Sequence, residues 1–194
     1  MQTMNEDIQK AIETIKQGGV IAYPTEAVFG LGCDPYNHEA VDRILALKNR
    51  SPLSGFILIA SSWDQLEPLV EPLPPRMMMR VKESWPGPVT WIFPVKPEVP
   101  SWVTGNRRTI AVRVSAHPIV QELCKLYDKP IISTSANLSG NPPARDARTV
   151  ELIFGNKIDF IVKAPVGKSQ MPTEIRNAVT GEILRISDNT IQDP

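Results

Sequence analysis

The chain has 194 residues, 42% of them hydrophobic, and 21 Lys plus Arg balance 21 Asp plus Glu, so its formal net charge is zero. That length and composition suit a single globular domain with a sizeable core, and they exclude a disordered, fibrous or globally basic, nucleic-acid-coating protein. Two cysteines, Cys33 and Cys124, and two histidines, His38 and His117, stand apart from one another, which argues against a zinc cluster and for reduced thiols.

Taken in chain order, Asn5 is placed to cap a first helix with an Ile8, Ile12 and Ile15 face, stopped by Gly18-Gly19. The start of the chain alternates charge with isoleucine and has no apolar leader, and nowhere do 18 apolar residues run together. The expectation is a cytoplasmic chain without a membrane span. Val20 to Tyr23 reads as a buried strand ended by Pro24, and 24–37 as a loop. His38 to Lys48 has the spacing of a helix, with its basic end beside the turn that Ser51-Pro52 enforces. Phe56 to Ala60 is a second buried strand, and Ser62 is placed to cap a short helix reaching Val70.

Beyond Pro72, Pro74 and Pro75 a helix carries Met77-Met78-Met79, expected to fill core. Strands are expected at Val89–Val95 and Thr109–Val114, then a helix opened by His117-Pro118 and a strand from Pro130 to Ser135. One more helix and strand lead to a hairpin from Thr173 to Ile186, turned at Thr180-Gly181. The fold class is α/β, a single-domain twisted open mixed sheet with flanking helices.

Familiar catalytic motifs are absent. Gly167-Lys168-Ser169 resembles the end of a phosphate-binding loop, but Val162 stands where that loop needs glycine. Four polar clusters remain at the ends of apolar segments: Pro24-Thr25-Glu26, Lys48-Asn49-Arg50, Thr109 to Arg113, and Ser133 to Asn137. Two cations with a run of hydroxyls and an amide suit a polyanion, since Arg offers phosphate a planar fork and Lys a point charge. Each cluster also has a plainer reading. Lys48 and Arg50 complement a helix C-terminus, Arg113 alternates outward from a strand, and Ser133, Ser135 and Asn137 make a turn. Residue types and spacing alone support an anion-binding α/β domain and no particular reaction.

Together, in order and across nearly the whole chain, these clusters resemble the TsaC/YrdC family. Lys48-x-Arg50 followed by Ser135-x-Asn137 meets its pattern, and Tyr23–Gly32, Trp85–Thr90, Ala111–Val114 and Ser133–Gly140 resemble it closely. The resemblance implies an open sheet with a large concave surface, and the synthesis of threonylcarbamoyl-AMP and pyrophosphate from L-threonine, bicarbonate and ATP. Mg²⁺ would accompany the nucleotide, with no protein side chains as metal ligands. It implies that Lys48 and Arg50 meet phosphates and carbamate, and that Thr109, Ser135, Asn137, Pro143 and Arg185 line the nucleotide. Arg113 would clamp the threonine carboxylate, with Ser133 and Thr25 nearby and Thr173, in Pro172-Thr173-Glu174-Ile175, closing on it. The chain departs from many relatives at Ala27, Ser54, Ile59 and Ile186-Ser187.

The product would pass to a separate tRNA threonylcarbamoyl transferase complex, and direct tRNA binding is expected to be weak. The alternative is a non-catalytic RNA-binding module using the same surface, its charge supplied by Arg76, Arg80, Lys82, Arg107, Arg108, Arg145 and Arg148.

Overall fold

A computed structural model describes residues 4–169 and 173–185. Helix α1 (Met4–Lys16) buries Ile8, Ala11, Ile12 and Ile15 as one stripe, the spacing that puts side chains on a single helix face. Asn5 lies inside the helix instead of capping it. Strand β1 (Ile21–Pro24) follows and is fully buried.

The expected loop at 24–37 contains a strand, β2 (Phe29–Gly32), antiparallel to β1. Its Phe-Gly-Leu-Gly sequence has low strand propensity, and tertiary contact overrides that. Phe29 and Leu31 enter the core, while the glycines face neighbours too close for a side chain. A Cβ on Gly32 would sit 2.5 Å from the Ile132 carbonyl oxygen, and one on Gly30 would sit 3.2 Å from the Tyr23 ring.

Helix α2 (His38–Lys48) has the expected limits. Asn37 caps it by accepting from the Ala40 amide at 3.1 Å, and Asn49 ends it in the left-handed region at φ 50. Strand β3 (Ile57–Ala60) is one residue shorter than expected. The single helix expected after Ser62 is two 3₁₀ turns, Trp63–Gln65 and Glu67–Leu69. Pro68 supplies no amide for a continuous helical ladder, and Ser62 makes no capping bond.

Helix α3 (Pro75–Glu83) carries the methionine run, of which Met78 packs on the core while Met79 is 59% exposed. The run is therefore only partly core filling. Strand β4 (Val89–Pro94), the short helix α4 (Ser101–Thr104) and β5 (Thr109–Val114) come next. Helix α5 (Pro118–Tyr127) is capped by His117, whose Nδ1 accepts from the Ile119 amide. Strand β6 (Ile131–Ser135), helix α6 (Ala147–Phe154) and β7 (Phe160–Ile161) lead to the hairpin of β8 (Glu174–Asn177) and β9 (Ile183–Arg185). Gly181 turns that hairpin at φ +81; Ile186, its expected last residue, lies outside the described residues.

Among the described residues the nine strands form one mixed sheet in the order β7-β1-β2-β6-β3-β5-β4-β8-β9. The pairs β1–β7, β3–β5 and β4–β8 are parallel and the others antiparallel. Strand β6 joins the two halves, pairing through Ile131, Ile132 and Ser133 with β3 and through Thr134 and Ser135 with β2. Helices lie on both faces. One apolar cluster takes Val41, Ile44 and Leu45 of α2, Val81 of α3 and Phe154 of α6. The other takes Ile12 and Ile15 of α1 and Val120 and Leu123 of α5, packed on Ile21, Tyr23, Ile59 and Ile131.

The fit of β2 gives a direct test. Gly32→Ala forces a methyl group against a backbone carbonyl, an overpacking that costs about 1–3 kcal/mol. Gly30→Ala meets only a ring edge and costs less. Urea unfolding of the two variants measures the order.

Candidate active site

Cross-strand partners share a sheet face, so the register shows what the second face does beyond its helices. The cluster under α1 and α5 reaches Ile59 and Ile131, which are paired with each other. Two residues along each strand the same face carries Ser133, Ile57, Ala111 and Ile92, in register across β6, β3, β5 and β4. Ile57, Ala111 and Ile92 are half-buried and belong to neither core cluster. Short and aliphatic side chains thus form an uncovered platform. Thr109 stands beside it at one end and Arg113 at the other, about 13 Å apart at ~3.3 Å per residue.

At the Thr109 end the last turn of α2 delivers Lys48. This side chain is buried, 3% exposed, and is not a solvated cation at a helix terminus. Its Nζ donates to the Ser135 carbonyl at 2.5 Å, the Asn137 carbonyl at 2.9 Å and Asn137 Oδ1 at 2.8 Å. An ammonium has three protons, and all three are engaged. Ser135 Oγ donates to the same Asn137 Oδ1 at 2.6 Å, and Asn137 Nδ2 donates to the Asn141 carbonyl. The Ser139 amide returns a bond to the Lys48 carbonyl at 3.2 Å. Burial and the neighbouring Arg50 push the Lys48 amine down to about 8.

The left-handed Asn49 reverses the chain so that Arg50 points elsewhere. Its Nη2 donates to the Gly55 carbonyl at 3.0 Å and its guanidinium lies 5.6 Å from the Phe56 ring centroid. Its Nε is buried without a partner. Half-buried Pro143 sits in the returning loop, pinned where Ala144 bonds Ala136 and Phe29 through the backbone. Lys48, Ser135 and Asn137 therefore form one bonded unit, which Arg50 does not join.

At the other end Arg113 is buried and does not alternate into solvent. Its Nη2 lies 3.5 Å from Glu26 Oε2. Glu26 Oε1 accepts from Ser115 Oγ at 2.8 Å and from the Ala116 amide at 3.0 Å. Thr25, in the same turn, uses its hydroxyl internally, donating to the Val28 carbonyl at 2.8 Å. Arg185 arrives from β9 through the pairs Thr90–Ile175 and Ile175–Arg185 and donates to the Thr173 carbonyl at 2.8 Å. Burial first, then the positive charge of Arg113, lowers the Arg185 pKa. Ser133 is buried at the centre. Ile59 is enclosed beneath the helices, and Pro172 lies outside the described residues.

Among the described residues five buried side-chain atoms have no hydrogen-bond partner: Glu26 Oε2, Arg50 Nε, Thr90 Oγ1, Arg113 Nε and Arg185 Nε. Arg113, Thr90 and Arg185 share the platform's face, Glu26 reaches Arg113, and Arg50 stands beside Lys48 in the chain. Sequence reasoning placed Glu26 in a polar cluster without giving it a role, and named Thr90 only as the end of the Trp85–Thr90 segment. A lone carboxylate between Pro24 and the apolar pair Ala27-Val28 was the available signal for the first. A separate cavity of about 700 Å³, bordered by Tyr36, Asp64, Gln65, Gln121 and Lys125, shares no residue with this face.

Residues 13–187 match the Sua5/YciO/YrdC family, described as "Telomere recombination". The chain is 54% identical over 186 residues to the threonylcarbamoyl-AMP synthase of Coxiella burnetii, covering 96% of this chain and all of that one. It is 48% identical to the synthase of Klebsiella pneumoniae, covering 93% and 96%. Among solved structures, P. abyssi Sua5 complexed with L-threonine superposes with a TM-score of 0.85 at 34% identity. That match covers 91% of this chain and 52% of the longer one. Family model, relatives and fold agree, and the chain belongs to the Sua5/YciO/YrdC family.

Proposed function

We propose that this chain is a threonylcarbamoyl-AMP synthase, joining L-threonine, bicarbonate and ATP into L-threonylcarbamoyladenylate with release of pyrophosphate and water. The observation that carries the reading is the uncovered platform with the unpartnered buried guanidinium nitrogens of Arg113 and Arg185 at one end and the bonded Lys48, Ser135 and Asn137 unit at the other. Leaving a buried donor unpaired costs about 1–3 kcal/mol, and a bound anion is the partner that removes this cost.

Arg113 and Arg185 outnumber Glu26, so this end carries an excess positive charge suited to the amino-acid carboxylate. Arg50, Thr109, Ser135, Asn137 and Pro143 mark the nucleotide end. Threonine's amine becomes a carbamate, and a carbamate oxygen displaces pyrophosphate from the α-phosphorus. The protein holds the reactants in line, a contribution of up to about 7–11 kcal/mol for well-oriented groups. Arg50 and the charge of Lys48 stabilise the developing phosphoryl charge. Lys48 would act as a buried charge behind the Ser135–Asn137 unit, since its N–H groups are already engaged. Among the described residues no three His, Cys, Asp or Glu side chains cluster to hold a metal. Mg²⁺, which supplies further charge neutralisation, would be held by the triphosphate and water.

The RNA-binding alternative has less support. Arg80, Arg107 and Arg145 donate to the carbonyls of Thr180, Ser54 and Ser169, and Arg76, Arg80 and Lys82 all lie on α3 rather than around the platform. No described helix is long and apolar enough to cross a membrane. Transfer to tRNA would fall to a separate transferase complex.

Purified protein is expected to release pyrophosphate from ATP only with threonine and bicarbonate together. Equal release with either omitted excludes the reaction. Arg113→Ala is expected to weaken threonine far more than ATP in calorimetric titration, and Arg113→Lys to restore it only in part, because the ammonium lacks the guanidinium fork.

The two cations of the Lys48-x-Arg50 pair should separate. Arg50→Ala abolishes turnover with a small loss of stability, whereas Lys48→Met loses turnover and about 1–3 kcal/mol, having removed three hydrogen bonds and left the Asn137 carbonyl without its donor. Activity should also decline above pH about 8 as Lys48 loses a proton. The folded pKa lies below the unfolded one, so between about 8 and 10.5 the unfolded chain holds the extra proton. The Lys48 contribution to stability therefore rises through that window. A pH–rate profile beside a pH–melting series checks that activity falls there without unfolding.

A further inference from the structure

We infer that Glu26 is a specificity-determining residue, whose free carboxylate oxygen accepts a hydrogen bond from the α-amino group of the amino-acid substrate. The inference rests on the synthase reading and adds a residue and a role to it.

Glu26 is held from one side only. Oε1 receives two donors, Ser115 Oγ and the Ala116 amide, at 2.8 and 3.0 Å. Oε2 is buried, has no hydrogen-bond partner, and belongs to a side chain only 13% exposed. A structural ion pair would close on Arg113 with short charge-assisted bonds near 2.8 Å. Here the approach is 3.5 Å, and Arg113 Nε is unpartnered as well. Both halves of the pair thus retain unused bonding capacity, which a buried pair kept for stability would not do.

The turn bearing Glu26 is itself fixed. The Thr25 hydroxyl closes it on the Val28 carbonyl, and the Gly167 and Ser169 amides donate to the Thr25 and Glu26 carbonyls. Gly167 passes so near that a Cβ there would lie 2.7 Å from the Glu26 carbonyl oxygen. The carboxylate is therefore presented by a rigid backbone, and its direction is set by Ser115 and Ala116.

An α-amino acid carries a carboxylate and an ammonium on one carbon. Arg113, with Arg185 beside it, and Glu26 Oε2 place opposite charges side by side at one end of the platform, matching both groups of such a zwitterion. The match outlasts carbamate formation, because the carbamate nitrogen keeps one N–H to donate. Glu26 would then distinguish α-amino acids from α-hydroxy acids of the same shape.

The test is calorimetric titration of wild type, Glu26→Gln and Glu26→Asp with L-threonine, with ATP, and with 2,3-dihydroxybutanoate, the analogue whose amine is a hydroxyl. Wild type should prefer threonine to the analogue strongly. Glu26→Gln should lose at least tenfold in threonine affinity and most of that preference, with ATP affinity changed less than twofold. Glu26→Asp, which keeps the charge but withdraws it by a methylene, should fall between the two and serves if the Gln variant does not fold. Unchanged threonine affinity in the variants, or equal losses for threonine and the analogue, would overturn the assignment and leave the synthase reading standing. Wild type that binds no threonine would overturn both.

Discussion

The buried ammonium of Lys48 couples the end of one helix to the exit of the central strand. Three acceptors from Ser135 and Asn137 converge on it, and the Ser139 amide bonds back to the Lys48 carbonyl. Burying a lysine is unfavourable unless its donors are satisfied, and here the satisfaction comes from two backbone carbonyls at a strand end and the Asn137 side-chain oxygen. One side chain thus ties the end of α2 to the point where β6 turns out of the sheet and sets how Asn137 faces Ser135. Strand β6 in turn joins both halves of the sheet, so the site's geometry is tied to the fold's midline.

A mixed sheet with helices on both faces ordinarily leaves little of either face uncovered. In this chain α1 and α5 cover Ile21, Tyr23, Ile59 and Ile131, and the cover ends two residues further along the strands. The exposed remainder is chemically mild in the middle, Ile57, Ala111 and Ile92, and strongly polar at its ends. Such an arrangement can receive an extended ligand with an anion at each end. It also keeps those anions apart until something on the platform bridges them, which is the geometry a joining reaction requires.

The unsatisfied polar atoms follow the same logic. Folded proteins leave few buried polar atoms unpaired, and among the described residues four of the five, on Glu26, Thr90, Arg113 and Arg185, gather around one end of this face. Arg113 and Arg185 are held near one another against their mutual repulsion, with Glu26 offsetting part of it. Local stability is lost at this end of the sheet, and preorganisation toward a charged ligand is what the fold retains in exchange.

Much of this was legible in the sequence where local chemistry decides the outcome. The limits of α2 follow from Asn37 before it, the apolar spacing of Val41, Ile44 and Leu45, and the Asn49 and Ser51-Pro52 stop. The strand Thr109–Val114 follows from alternation, and the ordered Lys48, Arg50, Ser135 and Asn137 pattern marks the family. Other features were settled only by contacts between distant segments. Strand β2 exists because Gly30 and Gly32 fit against Tyr23 and Ile132, which no local propensity reports. Pro68 divides a stretch whose capping serine and apolar residues read as one helix, and Met79 turns outward because α3 buries another side. Lys48 could be read as a helix-end cation and Arg113 as solvent-facing, since a sequence shows which residues carry charge but not which are enclosed. Enclosure is a property of the assembled layers, and it alone turns Lys48 into an anchor and leaves Glu26 and Arg113 facing each other with bonds to spare.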